Sequence, residues 1–338
     1  MFESKACCSL TQTTNNNLQF LIPKSSFLIT YTSFLLFFFL TLSLHAQTAP
    51  FRYAVIPENA RPGEPVTIAV NPAVGAKSAV LLVNGKRLTR AAFFLVASRV
   101  DDRPLMAAVL TIPATVPQGR ALIAIETAAG LAGNIAITIT GREFISEEIS
   151  LDQALSDLRT KDDPQKTAES EELWAIINKA GKETYCLDNF TPPVSSQRRT
   201  GFFGDQRIYH YSDGLSDTSV HAGIDYGVPK GTPVTVCGPG KVMLAKNRIV
   251  TGNSVVIEHL PGIFSLYYHL DSIEVSEGAL LGAGAQLGRS GATGLATGPH
   301  LHWEIRVWGE NTDPDAFISR PILDKTVILG KLYGRDAD

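Results

Sequence analysis

Between residues 51 and 142 the chain alternates short apolar runs with turn residues, a pattern that predicts a β-rich domain. Asn84-Gly85 lies between two of these runs and favours a hairpin turn. Seven runs at this spacing are typical of a small immunoglobulin-like β-sandwich, to which we assign residues 47–144. The predicted strands are 51–56, 66–70, 79–83, 91–97, 105–112, 121–126 and 135–140. The pattern does not separate a recognition module from a structural spacer.

Residues 150–181 change to helical spacing. Leu151, Leu155 and Leu158 recur on one helical face, Pro164 interrupts the pattern, and a second helical run begins at Gln165. We interpret residues 145–188 as a helical connector between two β domains, with a regulatory plug as the alternative.

From residue 189 to residue 320 strands return, separated by turns rich in glycine and proline. The clearer strands are 234–236, 241–246, 254–259, 263–269 and 300–307. We predict an all-β domain here and a C-terminal tail at residues 321–338. The predicted fold class is therefore mainly β, with an immunoglobulin-like sandwich, a short helical connector and a glycine-rich β domain.

The segment before residue 47 has the pattern of an export signal. A polar leader with Lys5 and Lys24 precedes an unbroken apolar run at residues 27–44. This run is long for a signal core and short for a membrane span, and Leu44 is not the small residue preferred near a cleavage site. We expect residues 1–46 to be a cleaved signal peptide, with an uncleaved membrane anchor as the alternative.

Charge and cysteine content narrow the functional classes. The 338-residue chain carries a formal net charge of −3 and no polybasic run, which excludes a basic surface for nucleic acid. Cys7 and Cys8 lie in the leader, so an exported chain keeps Cys186 and Cys237. In an oxidising compartment these two either form a disulfide, which we expect, or stay as buried thiols. The sequence leaves the oligomeric state open.

The predicted strand 300–307 has an apolar face and a polar face because its residues alternate with period two. The polar face carries His300, His302, Glu304 and Arg306. Two imidazoles two residues apart on a strand reach the same small volume, which is the geometry of a metal site. For His-x-His taken alone, surface histidines on a half-buried strand are the alternative.

Other polar residues of the same domain can complete a site. His221 and Asp225 stand four residues apart in a glycine-containing stretch, where we expect a loop that runs into a strand. His269 ends a predicted strand on which Ser265, Tyr267 and His269 share one face. Imidazole and carboxylate are normal zinc ligands. We predict that the remaining histidines are non-catalytic: His45, His210 and His259. Of these, His210 is expected to lie in a loop.

Residues 201–315 resemble the lysostaphin-like (LytM-type) zinc endopeptidases of bacterial cell walls, a match that covers about a third of the chain. The matching motifs are His221-Ala-Gly-Ile-Asp225, Gly252-Asn-Ser-Val-Val-Ile-Glu-His259, Leu266-Tyr-Tyr-His-Leu270 and Gly291-Ala-Thr-Gly-Leu-Ala-Thr-Gly-Pro-His-Leu-His-Trp-Glu-Ile305. Tyr268 and Cys237 depart from the family pattern, and neither is an expected ligand.

The resemblance implies that the domain of residues 189–320 binds one Zn²⁺ per chain through His221, Asp225 and His302. It also implies that His269 and His300 are catalytic histidines beside the metal, and it leaves their individual parts open. Three protein ligands leave a position for water, as in catalytic zinc sites. The implied function is an exported metalloendopeptidase of the bacterial periplasm or cell envelope that hydrolyses peptidoglycan peptides.

Two other functions are compatible with parts of the pattern. A catalytically silent module, with its site occluded by residues 145–194, would bind the wall and activate another hydrolase. A biotinyl- or lipoyl-type carrier is suggested by the turns around residues 278–288. The carrier fails because no lysine lies between Asp271 and Arg320 to hold a cofactor.

Overall fold

The computed structural model describes residues 51–96 and 104–334. The predicted signal or anchor at residues 1–46 therefore lies outside the described residues, as does the last residue of the predicted strand 91–97. The described residues belong to one compact unit, His45–Asp338. Within the described ranges, no helix is long and apolar enough to span a membrane. The domain boundaries stay predictions.

The N-terminal part is a pair of sheets. Its strands are β1 (Tyr53–Ile56), β2 (Asn59–Ala60), β3 (Pro65–Val70), β4 (Ala76–Val83), β5 (Lys86–Ala92), β6 (Phe94–Val96), β7 (Leu105–Thr111), β8 (Gly119–Thr127) and β9 (Gly130–Ile139). One sheet has the order β1-β3-β7-β6 and the other β2-β9-β8-β4-β5. Ile68, Leu81, Leu110 and Ile123 of the two sheets share one buried apolar cluster. The predicted β-rich domain is confirmed, and its immunoglobulin-like type stays a prediction.

The predicted hairpin at Asn84-Gly85 is confirmed. Both residues have positive φ angles, 50° and 75°, which suit a two-residue turn between antiparallel strands. The predicted strand 91–97 is wrong in its bounds, because β5 already begins at Lys86 and β6 is a separate strand. β5 begins with charged residues, so its first half contains no apolar run that would predict a strand.

The connector contains a strand and two helices: β10 (Ser146–Ser150), α1 (Gln153–Thr160) and α2 (Pro164–Ile177). The side chain of Asp152 caps α1 by accepting from the amide of Leu155, and Asp163 caps α2 in the same way. Pro164 begins α2 because the first helical position needs no amide hydrogen. The helical pair is confirmed, and β10 is an addition to it.

The C-terminal part is built on a large antiparallel sheet. Its elements are β11 (Arg199–Gly201), β12 (Gln206–His210), β13 (Ser216–Val220), β14 (Gly223–Tyr226), β15 (Pro233–Thr235), β16 (Gly240–Arg248), β17 (Gly252–Leu260), β18 (Ile263–Ile273), β19 (Leu280–Leu281), β20 (Gln286–Ser290), β21 (Leu301–Val307), β22 (Glu310–Thr312), α3 (Pro314–Ser319) and α4 (Lys325–Tyr333). The main path is β11-β14-β21-β18-β17-β16-β19, and β10, β12 and β13 form a separate three-stranded sheet.

The strand β21 lies between β14 and β18 and has the two faces that the alternation predicts. Trp303 and Ile305 are buried with Tyr267 in the largest apolar cluster. On the opposite face, Leu266 and Tyr268 of β18 belong to a smaller cluster that Ile177 of α2 helps to bury. One face of the sheet therefore packs into the main hydrophobic core. The other face has only a smaller apolar cluster, and polar side chains of β21 lie on it as well.

Residues 321–334 of the predicted C-terminal tail are an ordered part of the fold. Thr67 Oγ1 in β3 donates a hydrogen bond to the carbonyl of Ile322 at 2.9 Å. Asn71 Nδ2 donates to the hydroxyl of Tyr333, the last residue of α4, at 3.0 Å. This part of the chain, which includes Ile322 and Tyr333, thus packs against the first sheet.

Candidate metal centre

Three predicted ligands converge where β14 and β21 pair. Asp225 lies directly opposite His302 in the antiparallel register, and His221 lies in the turn just before β14. His302 Nδ1 is 2.7 Å from Asp225 Oδ1, and His221 Nε2 is 3.1 Å from His302 Nδ1 and 3.3 Å from Asp225 Oδ1. These three donor atoms lie within 4.8 Å of one another, and all three residues are buried. The cluster has the donor types and the close spacing of a metal-binding site.

Hydrogen bonds at the outer nitrogens fix which atom of each imidazole faces the cluster. His221 Nδ1 is 2.7 Å from the carbonyl of Phe202, which can only accept, so Nδ1 carries the hydrogen and Nε2 is free to bind a metal. His302 Nε2 donates to Glu304 Oε1 at 2.9 Å, which leaves Nδ1 facing Asp225. Metal-binding histidines are normally oriented by such outer partners.

Glu304 is a functional residue that the sequence placed on the correct face without assigning it a part. Arg306 Nε donates to its other oxygen, Oε2, at 2.7 Å. Burial raises the pKa of Glu304, but Arg306 and His302 outweigh burial and hold that pKa well below its usual range. A permanent carboxylate therefore stands behind His302, and only the contacts of the folded chain reveal it.

The electrostatics of the cluster favour a cation between the donors. Burial lowers the pKa of His302, but the carboxylates of Asp225 and Glu304 raise it to about 9. For Asp225 burial raises the pKa, whereas His302 and His221 hold it well below its usual range. The metal-free cluster thus retains a proton where a divalent cation would satisfy the same carboxylates, so the donor set fits a metal ion.

His269 and His300 lie beside this cluster. Their ring centroids are 4.8 Å apart, and the ring of His269 is 6.1 Å from that of His302. His269 Nδ1 donates to the carbonyl of Thr293 and His300 Nδ1 to that of Gly298, both at 2.8 Å. The Nε2 atom of each ring is left available. The structure therefore brings together all five predicted site residues.

The expected face of His269 was wrong. His269 has a φ of 59°, a left-handed conformation that is uncommon outside glycine. Its amide donates to the carbonyl of Thr251 at 2.9 Å, which holds this turn in β18. The side chain consequently leaves the buried face of Ser265 and Tyr267 and joins the face of Tyr268, whose ring stacks on that of His302 at 5.6 Å. Period-two alternation cannot anticipate such a backbone reversal.

Both flanking histidines are neutral. Burial lowers the pKa of His269 to about 3 and also lowers that of His300. The free Nε2 of each neutral imidazole can accept a proton, although a pKa as low as that of His269 makes that ring a weak base. His300 Nε2 lies 3.8 Å from Asp225 Oδ1.

The five residues line a cleft of about 440 Å³. One wall comes from the three-stranded sheet, with Glu147 of β10 and Tyr209 of β12, and another from residues 295–299. The connector therefore borders the cleft and does not fill it, which disfavours occlusion by residues 145–194.

The remaining histidines of the described chain lie outside this cleft. His210 ends β12, so its predicted position in a loop was wrong, and its Nε2 is 3.5 Å from Glu148. His259 is fully buried in β17. Cys186 and Cys237 are separate buried thiols, so the expected disulfide is not formed in the structure.

Comparison with known proteins agrees with this geometry. Residues 219–314 match the sequence profile of Peptidase family M23. The matched residues include all five site residues, so the part of the chain that forms the site is similar to the M23 (lysostaphin-like) peptidases. A crystal structure of an M23-type protein from Pseudomonas aeruginosa has a TM-score of 0.53 and 24% identity, and the match covers 76% of this chain and 93% of that one. The mainly β fold is shared.

Two relatives of known name share this domain. The DD-carboxypeptidase/endopeptidase Mpg of Neisseria meningitidis is 41% identical over 95 residues, which are 28% of this chain and 22% of the relative. The peptidoglycan DD-endopeptidase ShyA of Vibrio cholerae is 39% identical over 117 residues, which are 35% of this chain and 27% of the relative. The matches thus span about a quarter of the length of these two proteins.

Proposed function

We propose that this protein is an exported zinc metalloendopeptidase that hydrolyses peptide bonds in peptidoglycan. The observation that carries the proposal is the convergence of His221, Asp225 and His302 beside two neutral histidines in a cleft. The names of the two relatives support the substrate class, and the pattern of residues 1–46 supports export to the periplasm or cell envelope.

The metal would be held by His221 Nε2, Asp225 Oδ1 and His302 Nδ1. When bound there, zinc lowers the pKa of a coordinated water towards neutrality and polarises a peptide carbonyl. Glu304 orients His302, and the carbonyl of Phe202 orients His221. These contacts fix the donor atoms before the metal arrives, so little reorganisation accompanies binding.

His269 and His300 would move the protons of hydrolysis. A neutral Nε2 would accept a proton from the attacking water, and the imidazolium so formed would pass that proton to the leaving amine or stabilise the oxyanion. Both rings are anchored through Nδ1 to backbone carbonyls, so their Nε2 atoms keep a fixed direction. The two histidines are anchored in the same way. Kinetics of the two single variants would show which of them acts as base and which as acid.

Zinc content and wall digestion test the proposal directly. The purified chain is expected to hold one zinc and to release peptides with new ends from purified peptidoglycan, identified by mass spectrometry. His302→Ala should lose both the zinc and the products. His210→Ala, which changes a histidine outside the cleft, should keep both. A wild-type chain that binds zinc but releases no products would favour the activator function instead.

A further inference from the structure

The two oxygens of Asp225 have different partners. Oδ1 faces the two ligand histidines, at 2.7 Å from His302 Nδ1 and 3.3 Å from His221 Nε2. Oδ2 faces away from them and accepts from Arg207 Nη2 at 2.5 Å. Arg207 belongs to β12 and therefore reaches Asp225 from outside the large sheet. One carboxylate thus joins the metal centre to a second sheet.

Arg207 is itself held in place. Its Nε donates to Glu147 Oε2 at 3.1 Å, and Glu147 is its register partner where β10 and β12 pair in parallel. The side chain of Arg207 is only 12% exposed, although it lines the cleft. A guanidinium can bind two carboxylates at fixed angles, which an ammonium cannot do.

The backbone around Arg207 leaves space for this contact. A Cβ atom at Gly201 would lie 2.4 Å from Arg207 Nη2, 3.0 Å from Asp225 Oδ2 and 3.2 Å from the ring of His221. Gly201 has an ordinary φ, so the close approach explains the glycine and no strain is involved. A side chain at position 201 would displace the guanidinium from the carboxylate.

We propose that Arg207 is a positioning residue for the metal centre, and that Glu147 anchors it. By holding Oδ2, Arg207 keeps Oδ1 of Asp225 directed at the metal position and prevents the carboxylate from turning. The inference rests on the proposed zinc site. It also makes β10 of the connector, which the sequence suggested as an occluding segment, a support for the site.

The test measures zinc affinity by competition with a chromophoric chelator, a readout that does not depend on turnover. Arg207→Gln should weaken zinc binding about 10–100-fold, the usual cost of removing an outer partner of a metal ligand. Arg207→Lys should recover part of the loss, because it restores the charge without the forked geometry. Glu147→Gln should weaken binding in the same direction by a smaller factor. Unchanged or tighter binding in Arg207→Gln would overturn the proposal.

A matched control separates positioning from damage to the small sheet. Arg159 Nε donates to the hydroxyl of Tyr211 and Nη2 donates to Asp217, so Arg159 joins α1 to this sheet without contacting a metal ligand. Arg159→Gln should keep wild-type zinc affinity. An equal loss in Arg159→Gln and Arg207→Gln would assign the effect to the sheet and overturn the proposal.

Failure of this inference is distinguishable from failure of the proposed function. If wild-type protein releases no wall peptides but Arg207→Gln still weakens zinc binding, the proposed function fails and the positioning role stands. If the wall is digested and zinc affinity is unchanged in Arg207→Gln, the positioning role fails alone. Thermal unfolding in excess chelator shows whether each variant is folded. A variant that is unfolded is replaced by Glu147→Gln, whose side chain is 36% exposed and whose unchanged zinc affinity would also count against the proposal.

Discussion

Two histidine clusters lie on the same large sheet and differ in chemical character. In the first, His302 stands between the carboxylates of Asp225 and Glu304. In the second, His259 lies on the buried side of β17, where Nδ1 donates to the carbonyl of Pro239 and Nε2 is 2.7 Å from the hydroxyl of Ser265. Both histidines are buried and hydrogen-bonded through both nitrogens. His302 lines the 440 Å³ cleft, and His259 lies outside that cleft.

The difference lies in the charge of the partners. Neutral partners leave the burial penalty uncompensated, and the pKa of His259 falls to about 4. Carboxylate partners outweigh the same penalty, and the pKa of His302 rises to about 9. The carboxylates that hold a proton on His302 would also attract a metal cation. The neutral groups around His259 instead keep its imidazole uncharged and offer no negative charge to a cation. Histidine content alone therefore does not identify a metal site.

The largest expected effect comes from removing His302, one of the three proposed ligands in the first cluster. His302→Ala should weaken zinc binding by more than about 100-fold, because loss of an outer partner already costs about 10–100-fold. Zinc content after dialysis, measured by atomic emission, checks this. His259→Gln is the matched change in the second cluster and should retain one zinc per folded chain. Retention of stoichiometric zinc by His302→Ala would break the comparison.

The second cluster should appear in the pH dependence of stability. Folded His259 stays neutral down to about pH 4, whereas the same histidine in the unfolded chain gains a proton below about pH 6.5. The contribution of neutral His259 to the stability of the folded state is therefore complete above about pH 6.5 and is lost as the pH falls to about 4. The loss is on the order of 3 kcal/mol in the free energy of unfolding. Urea unfolding in excess chelator at several pH values measures it.

His259→Gln removes this titration and should flatten the profile between pH 6.5 and 4. In metal-free protein, protonated His302 has the opposite effect on the free energy of unfolding. Its stabilising contribution is complete below about pH 6.5 and is lost as the pH rises through about 9. Identical acid profiles for wild type and His259→Gln would show that His259 does not behave as its surroundings require.

A smaller effect should follow from neutralising the carboxylate behind His302. Glu304→Gln keeps the size of the side chain but weakens the hold on His302 Nε2, so zinc affinity should fall about 10–100-fold. Chelator competition measures the change. Glu274→Gln, which alters an exposed carboxylate paired with Arg289, serves as the control and should bind zinc like the wild type. Equal affinity in Glu304→Gln and Glu274→Gln would contradict the role of Glu304.

The smallest expected effect is that of a reductant on the peptide masses that contain Cys186 and Cys237, because the structure has both as free thiols. Burial raises the pKa of Cys186 to about 11 and that of Cys237 to about 12, so both thiols stay protonated and react slowly in the folded protein. Alkylation after denaturation without reductant should modify both cysteines, as read from peptide masses. A peptide pair joined through Cys186 and Cys237 would restore the disulfide that the sequence suggested.

The sequence predicted those features that depend on local alternation or on motif spacing. The alternation of residues 300–307 predicted which face of β21 is polar, and the spacing of His221 and Asp225 predicted two residues that β14 brings to His302. The strands β10, β12 and β13 were missed because they are short and largely polar, so no apolar run marks them. β10 finds its place by pairing with β12, which lies 60 residues further along the chain, and β13 then pairs with β12 as a polar hairpin.

The same limit applies within the site. The orientation of His269 depends on one backbone angle, and the contact of Arg207 with Asp225 depends on how a second sheet packs against the first. Neither is encoded in the periodicity of a single segment. The part played by Glu304 required the distances to His302 and Arg306, which come only from the folded chain.

The packing of residues 322–333 against residues 67–71 has a consequence for the order of folding. The contacts of Thr67 with Ile322 and of Asn71 with Tyr333 span 255 and 262 residues. The first sheet is synthesised early, but part of its surface acquires its native neighbours only when the last helix has been made. Such long-range contacts slow folding, since the loop between them must close first. These contacts of the first sheet therefore form only after the chain has been synthesised as far as Tyr333.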